Sequence, residues 1–400
     1  MSTPAVKAVL AALTGDGAEA RFVGGCVRDA LLGRPVKDVD IATRLPPDEV
    51  MTRLEAAGIK ALPTGLAHGT VTAVVRSAHF EITTLRTDVE SYGRRAKVAF
   101  TDDWMADAAR RDFTINAMFA AADGTLYDPF GGREDLAQGR IRFVGAARDR
   151  IREDVLRLLR FYRFFAHYGR GAADPEGIAA ARELAPLLPT LSGERVAGEL
   201  LRLLAAASPA PILAMMGEHG VLTQILPEAQ AIGRLAALVE IERARALVDS
   251  LRRLAAALRT DAGGAAAVAR RLRLSNRERL RLESLAEGSA RPTPALAAAE
   301  RRRWLYRLGA PRFTDLALLA WAEAGADAPG FDALLDLVEA WKPPKLPVRG
   351  RDVLALGIAP GVRVRALLDE VEAWWVAGDF SADRDQCLDE LARRAAISSA

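Results

Sequence analysis

Apolar positions in the first third of the chain recur with two periods, and the switch between them marks the elements. Val6, Val9, Leu10 and Leu13 share one side of a helix over the first twenty residues, closed by Thr14-Gly15-Asp16-Gly17. Arg21-Phe22-Val23 reads as a strand, Gly24-Gly25 as a turn, and Cys26 to Leu32 as a short amphipathic helix stopped at Gly33. Asp38 to Ala42 alternates, which predicts a strand with Val39 and Ile41 in the core and Asp38 and Asp40 together on the other face. A helix follows from Pro46 to about Ala57, with Pro and acids in its first turn. Two β-rich runs, Thr70 to Val75 and Phe80 to Leu85, are joined tightly through Arg76-Ser77-Ala78 as a hairpin. Residues 86–104 are charged and without period, which predicts a loop, and a loop of that length in a compact domain tends to be functional or mobile. From about residue 145 the alternation disappears, and Ala, Leu, Arg and Glu at helical spacing continue almost to the end. The predicted class is α+β: a small mixed sheet with helices, then an all-α remainder.

The chemistry sits where these elements turn. At Gly24-Gly25 the absence of Cβ atoms lets backbone amides approach phosphate oxygens, the helix start adds partial positive charge, and Arg28 offers a guanidinium one turn later. Asp38 and Asp40 repel each other unless a cation lies between them. A hard Mg²⁺ shared with substrate phosphates answers that repulsion, although an isolated Asp-x-Asp also fits a turn cap and a solvated edge residue. Glu81 lies on the polar face of its strand with Thr83, either as a third acid or as an ordinary exposed residue. In Ala109 to Met118, Arg111 supplies a second guanidinium, and Asp112 or Asn116 can bond a ribose hydroxyl. On a helix running from Arg152 to Phe164, Asp154 and Arg157 pair an acceptor with a donor. Such a pair matches the Watson–Crick edge of C or A without a template, though the same spacing also suits a solvated salt bridge.

Gly-Gly-x-Val-Arg-Asp, Leu-Leu-Gly-Arg and Asp-x-Asp-x-Ala-Thr between Gly24 and Thr43 resemble the first motif of class II tRNA nucleotidyltransferases and bacterial poly(A) polymerases. Arg110-Arg111-Asp112-Phe113-Thr114-Ile115-Asn116-Ala117, Glu153-Asp154-x-x-Arg157-x-x-Arg160 and Leu191-Ser192-Gly193-Glu194-Arg195 resemble later motifs of that family. The resemblance implies metal binding by Asp38 and Asp40 with Glu81 beside them, and nucleotide contacts from Gly25 and Arg28. It implies base reading by Asp154 and Arg157, and a hold on nucleotide or phosphates by Arg160 and Arg163. Glu194, Arg195 and Glu199 are expected to brace the structure rather than touch substrate. By the same resemblance, 86–104 is a flexible loop that helps switch from C to A addition, and its full length favours complete CCA addition.

The implied organisation is a catalytic head over 1–145, a neck over 146–215 carrying the base reader, a body over 216–341, and a tail over 342–400 that binds tRNA, set off by Lys342-Pro343-Pro344-Lys345. Expected partners are tRNA, CTP and ATP, with Mg²⁺ as cofactor and no obligate protein partner. Poly(A) polymerase, CC-only or A-only addition, and a catalytically silent RNA-binding relative are the alternatives. Composition adds little to this. Four hundred residues call for two or more packed units, and the net charge of +3 is a mild hint of a polyanionic partner. Cys26 and Cys387 suit buried, reduced thiols, and no apolar run is long enough to cross a bilayer, so the expected location is the cytoplasm.

Overall fold

Alternation around Phe22 and Ile41 is realised in a mixed sheet. The computed structural model describes residues 3–92, 95–287 and 291–397. Its strands are β1 (Ala20–Val23), β2 (Val39–Thr43), β3 (Lys60–Gly65), β4 (Thr70–Val75), β5 (Ala78–Thr84), β6 (Arg86–Tyr92), β7 (Arg95–Phe100), β8 (Phe119–Ala120) and β9 (Leu126–Tyr127). Seven of them form one sheet in the order β3-β4-β5-β2-β1-β8-β9. β2 runs parallel to β5 and antiparallel to β1, so the sheet centre brings Asp40 directly beside Glu81. Ile41, Ile82 and Val71 are fully buried, as the alternation requires.

Three sequence expectations change. β3 escaped notice because it is an edge strand: its residues are exposed or half-buried, and Pro63, which has no N–H to give a ladder, is tolerated there. β8 and β9 are two residues each, too short for a periodic signal. The loop read over 86–104 is instead an antiparallel ribbon of β6 and β7, with Thr87 opposite Ala99, followed by a helix; Gly93 and Arg94 lie outside the described residues. Ala99 and Phe100 at its end are exposed, and exposed strand residues leave no alternation in the sequence.

Helices α1 (Pro4–Thr14), α2 (Gly25–Leu31) and α3 (Pro47–Ala56) frame the sheet. Thr3 caps α1 through Val6 N at 3.3 Å, and the expected stripe Val6, Val9, Leu10 and Leu13 is buried. Then follow α4 (Trp104–Ala109), α5 (Gly132–Gln138), α6 (Ala147–Glu153), α7 (Leu156–Tyr168), α8 (Pro175–Leu184) and α9 (Gly193–Leu204). A core of Val23, Ala42, Leu85, Trp104, Ala117 and Phe119 lies under the sheet centre.

The chain divides into two compact units, Met1–Ile232 with Ala267–Arg279, and Gly233–Ala266 with Leu280–Ala400. The second unit is helical and holds a buried ionic lattice. Arg252 and Arg253 bond the two oxygens of fully buried Glu242 at 2.7 and 2.6 Å, and Arg252 also reaches Asp315 at 2.8 Å. Its last helices pack Val353, Leu367, Val371, Trp375 and Leu391 around the buried free thiol of Cys387. Cys26, in the first unit, is likewise a buried free thiol.

Candidate active site

The turn predicted at Gly24-Gly25 forms with Gly24 at φ 71°, a backbone conformation that side chains resist. The Gly24 amide donates to the Met118 carbonyl at 3.1 Å, so the amides free to meet an anion are those of the first turn of α2, not Gly24's own. Arg28, on that helix, is buried and held on three sides. It donates to both oxygens of Asp29 at 3.0 and 3.1 Å and to Asn116 Oδ1 at 2.6 Å, and its guanidinium lies 4.3 Å from the Tyr168 ring centroid. A cation fixed in this way needs little reorganisation to meet a phosphate.

From Asn116 the network continues across the site. Asn116 Nδ2 donates to Asp112 Oδ1 at 3.1 Å, and Asp112 Oδ2 accepts from Arg160 Nε at 2.7 Å. Asp112, read as a partner for a ribose hydroxyl, therefore has both oxygens engaged within the protein. Burial acts to raise its pKa, but the Arg160 guanidinium and Asn116 hold it below the ordinary carboxylate value. Beneath this layer is an acid that sequence reasoning missed, Asp107, 1% exposed. It binds Arg110 at 2.7 Å and Arg111 at 2.8 Å, and accepts from the Arg86 amide at the start of β6 at 3.3 Å. Against the effect of burial, Arg111 and Arg110 hold its carboxyl below the usual range. An acid three and four residues ahead of a double Arg was the available signal.

The single helix expected from Arg152 to Phe164 is broken. α6 ends at Glu153, Asp154 is extended (φ −148°, ψ 105°), and α7 begins at Leu156. The break lets Asp154 Oδ1 accept from Leu156 N at 3.1 Å, while Oδ2 accepts from Arg195 at 2.6 Å. Arg157 bonds Glu153 and donates to the carbonyls of Arg150 and Arg110, each at 3.2 Å.

These groups face one cavity of about 440 Å³. Of the predicted residues, Gly24, Gly25, Arg28, Asp40, Arg111, Asp112, Asn116, Asp154, Arg157 and Arg160 line it, joined by Arg110, Leu156, Phe164 and Arg195. Six arginines against three aspartates make it an anion site with a few fixed acceptors. Arg163 is not among the lining residues; its guanidinium bonds the buried carboxylate of Glu199 and lies 4.1 Å from the Phe164 ring. Glu199 thus braces, as expected, whereas Arg195, expected only to brace, reaches the cavity.

Asp38 is exposed just ahead of β2, and Glu81 is exposed beside Asp40; neither lines the cavity. Among the described residues no three His, Cys, Asp or Glu side chains gather closely enough to hold a metal by themselves. The donor set still fits a hard divalent cation that takes further oxygens from a substrate. Burial first, then the carboxylates of Glu81 and Asp38, push the Asp40 carboxyl up to about 6, with Arg111 opposing. Negative charge that the protein only half compensates is what such a cation relieves.

A family model described as the Poly A polymerase head domain matches residues 20–142, and one described as a probable RNA and SrmB-binding site of polymerase A matches residues 173–232. The mitochondrial CCA tRNA nucleotidyltransferase 1 of Danio rerio is 35% identical over 393 residues, 94% of this chain and 87% of that protein. The CCA-adding enzyme of Geobacillus stearothermophilus is 44% identical over 206 residues, 51% of this chain and 50% of its own. Among solved structures, the Bacillus stearothermophilus CCA-adding enzyme in complex with CTP matches with a TM-score of 0.82 at 30% identity, over 100% of this chain and 99% of that one. With its head motifs gathered on one cavity and its likeness running nearly end to end, the chain belongs to the CCA tRNA nucleotidyltransferases of the tRNA nucleotidyltransferase/poly(A) polymerase family.

Proposed function

We propose that this protein adds C, C and A to the 3′ end of tRNA from CTP and ATP, without a template. The tRNA 3′ hydroxyl attacks the α-phosphorus; a new P–O bond forms there, the bond from the α-phosphorus to the α–β bridging oxygen breaks, pyrophosphate leaves with that oxygen, and the hydroxyl proton passes to water. In this reading Arg28 and Arg111 meet the triphosphate, each preset by its own carboxylate, and the first turn of α2 turns its amides to the same charge. Asp154 and Arg157 face the base and Arg160 the nucleotide between them, with Asp112 and Asn116 as the frame linking Arg160 to Arg28. Asp38 and Asp40, with Glu81 adjacent, would hold divalent cations, Mg²⁺ in our reading, which when bound activate the hydroxyl and neutralise charge on the leaving group. Excess positive charge and aligned acceptors in one cavity are what a nucleotide triphosphate requires, and that is the observation that carries the proposal.

We read 1–145 as the catalytic head, 146–215 as the neck, 216–341 as the body and 342–400 as the tRNA-binding tail. A cytoplasmic location stays part of the proposal: among the described residues no helix is long and apolar enough to cross a membrane, and vertebrate relatives carry the word mitochondrial in their names. The test is nucleotide-resolved extension of a tRNA lacking its last three residues, with Mg²⁺ and CTP, ATP or both. Two C residues from CTP, one A once ATP is present, and a stop are expected. A ladder of A residues from ATP alone would move the activity to poly(A) synthesis, and no extension would make the head a silent RNA-binding relative.

A further inference from the structure

We infer that Tyr168 sets the affinity for the triphosphate of the incoming nucleotide by holding Arg28 in place through Asp29; this rests on the reading of Arg28 as a group that meets the triphosphate. Tyr168 is the last residue of α7, whereas Arg28 and Asp29 lie on α2. Side chains from both segments join them. Tyr168 Oη donates to Asp29 Oδ1 at 3.0 Å, and the same oxygen accepts from Arg28 Nε at 3.0 Å. Beyond the end of α2, Arg34 donates to the His167 carbonyl at 3.1 Å. A basic side chain on a carbonyl of the last turn is favoured by the helix dipole, so the end of α7 is seated beside α2.

The ring of Tyr168 is a second restraint. Phe164 and Tyr168 are one turn apart on α7 with centroids 6.0 Å apart, and the Arg28 guanidinium lies 5.3 Å from the first centroid and 4.3 Å from the second. A ring face attracts a cation without the full negative charge of a carboxylate, so it holds Arg28 and leaves its charge for a phosphate. Asp29 and Asn116 do not exhaust the N–H groups of the guanidinium either. Asp29 is half-buried, and without the Tyr168 hydroxyl its carboxylate turns about its own bonds and takes Arg28 with it. Burial pushes that hydroxyl up from its ordinary pKa, Arg28 opposing and Asp29 adding to the rise, so the proton that Asp29 accepts is present at neutral pH. Tyr168 is therefore a positioning residue at the phosphate end of the site. α7 carries Arg157 in its first turn and Tyr168 at its end, about 16 Å along the axis, so one helix orients both ends of the nucleotide. CTP and ATP share the triphosphate, which makes the effect of Tyr168 equal for both and independent of the base.

The test measures Kd for CTP, ATP and UTP, the inhibition constant of inorganic pyrophosphate, tRNA affinity and melting temperature in the full-length protein with Mg²⁺ and in Y168F, Y168L, R28A and the R28A/Y168F double variant. Y168F keeps the ring and loses the hydroxyl. It is expected to weaken CTP, ATP and pyrophosphate alike by about 3- to 10-fold, part of what a hydrogen bond to a charged group contributes, because Tyr168 acts at one remove. Y168L loses the ring as well and should weaken them by about 10- to 50-fold. In Y168F the CTP to UTP ratio, tRNA affinity and melting temperature stay at their wild-type values, and Y168F adds nothing further in the R28A background. If R28A weakens pyrophosphate while Y168F does not, the role of Tyr168 is overturned and the reading of Arg28 stands. Should R28A itself bind CTP and pyrophosphate as the wild type does, the triphosphate assignment of Arg28 fails and this inference with it. Equal weakening by Y168F in the wild-type and R28A backgrounds, or a CTP to UTP ratio that falls as far as pyrophosphate binding does, would make Tyr168 a brace of the fold, which also overturns it.

Discussion

Asp40 carries the least comfortable charge in the site. Its folded pKa near 6 stands above the ordinary 3.8, so between those values the folded state binds more protons than the unfolded state, and stability falls as pH rises through the window. Replacing it by Asn removes that burden. In metal-free protein D40N should be more stable than wild type at pH 8 by about 1–2 kcal/mol after allowance for solvent screening, and the gap should close near pH 4. Mg²⁺ should raise the wild-type melting temperature and not that of D40N; identical metal-free melting curves at pH 8 would remove the half-compensated charge from the account. Asp107 has the opposite sign. Its lowered pKa means stability fully present above the ordinary Asp value and lost as pH falls through a value below it. D107N leaves two guanidiniums without their shared partner and should cost about 3–5 kcal/mol by denaturant titration at pH 7, with loss of extension activity because Arg111 is released. A midpoint within experimental error of wild type would mean that Arg110 and Arg111 find other partners.

Elements meet in this fold through short contacts that only small residues allow. Gly193 starts α9 against the backbone of Arg271, and unlike a flexible side chain tip that carbonyl cannot swing away. G193A should therefore destabilise by about 1–3 kcal/mol through displaced backbone, read as a lower melting temperature. Because α9 carries both Arg195 and Glu199, the same change should weaken CTP discrimination as well; a stable G193A protein would show that α9 can shift without strain. The break between α6 and α7 belongs to this scale too. α7 buries Leu158, Leu159, Tyr162 and Phe165 at helical spacing, but that spacing does not reveal where the helix begins, because no Gly or Pro stands between Arg152 and Leu156 to mark the break. Ribbon β6–β7 was illegible for a related reason, since the period-2 signal records burial on one face and the ribbon's described end residues bury none.

Across the molecule, arginine supplies nearly all of the positive charge: only six of the 55 basic residues are Lys. Much of it is internally neutralised. Arg271 pairs with Glu228, Arg273 with Glu194, and Arg281 with Asp249 and Asp315, so much of the charge in the arginine-rich stretch from 270 to 281 is bound within the protein rather than offered to a nucleic acid. Affinity for tRNA should still depend on salt, because release of condensed ions accompanies every phosphate contact. About a 100-fold loss between about 50 and 200 mM salt is expected if four or so phosphates are neutralised. A salt-independent affinity measured by filter binding or anisotropy would count against phosphate-led recognition.

Local pattern was sufficient for whatever depends on neighbours in the chain. Val6 to Leu13 as a buried stripe, the turn at Gly24-Gly25, Asp40 on the polar face of its strand, and the helical character beyond residue 145 all follow from spacing and side-chain type. Motif likeness added that Arg28, Arg111, Asp154 and Arg157 belong to one chemistry. Pairings between distant residues were beyond its reach: Arg28 with Asn116, Asp112 with Arg160, Asp154 with Arg195 and Arg163 with Glu199 join positions from 36 to 88 residues apart. No periodicity encodes such a pair, because each depends on how separate helices and strands pack, and packing alone decided which charges face the cavity and which hold the others in place.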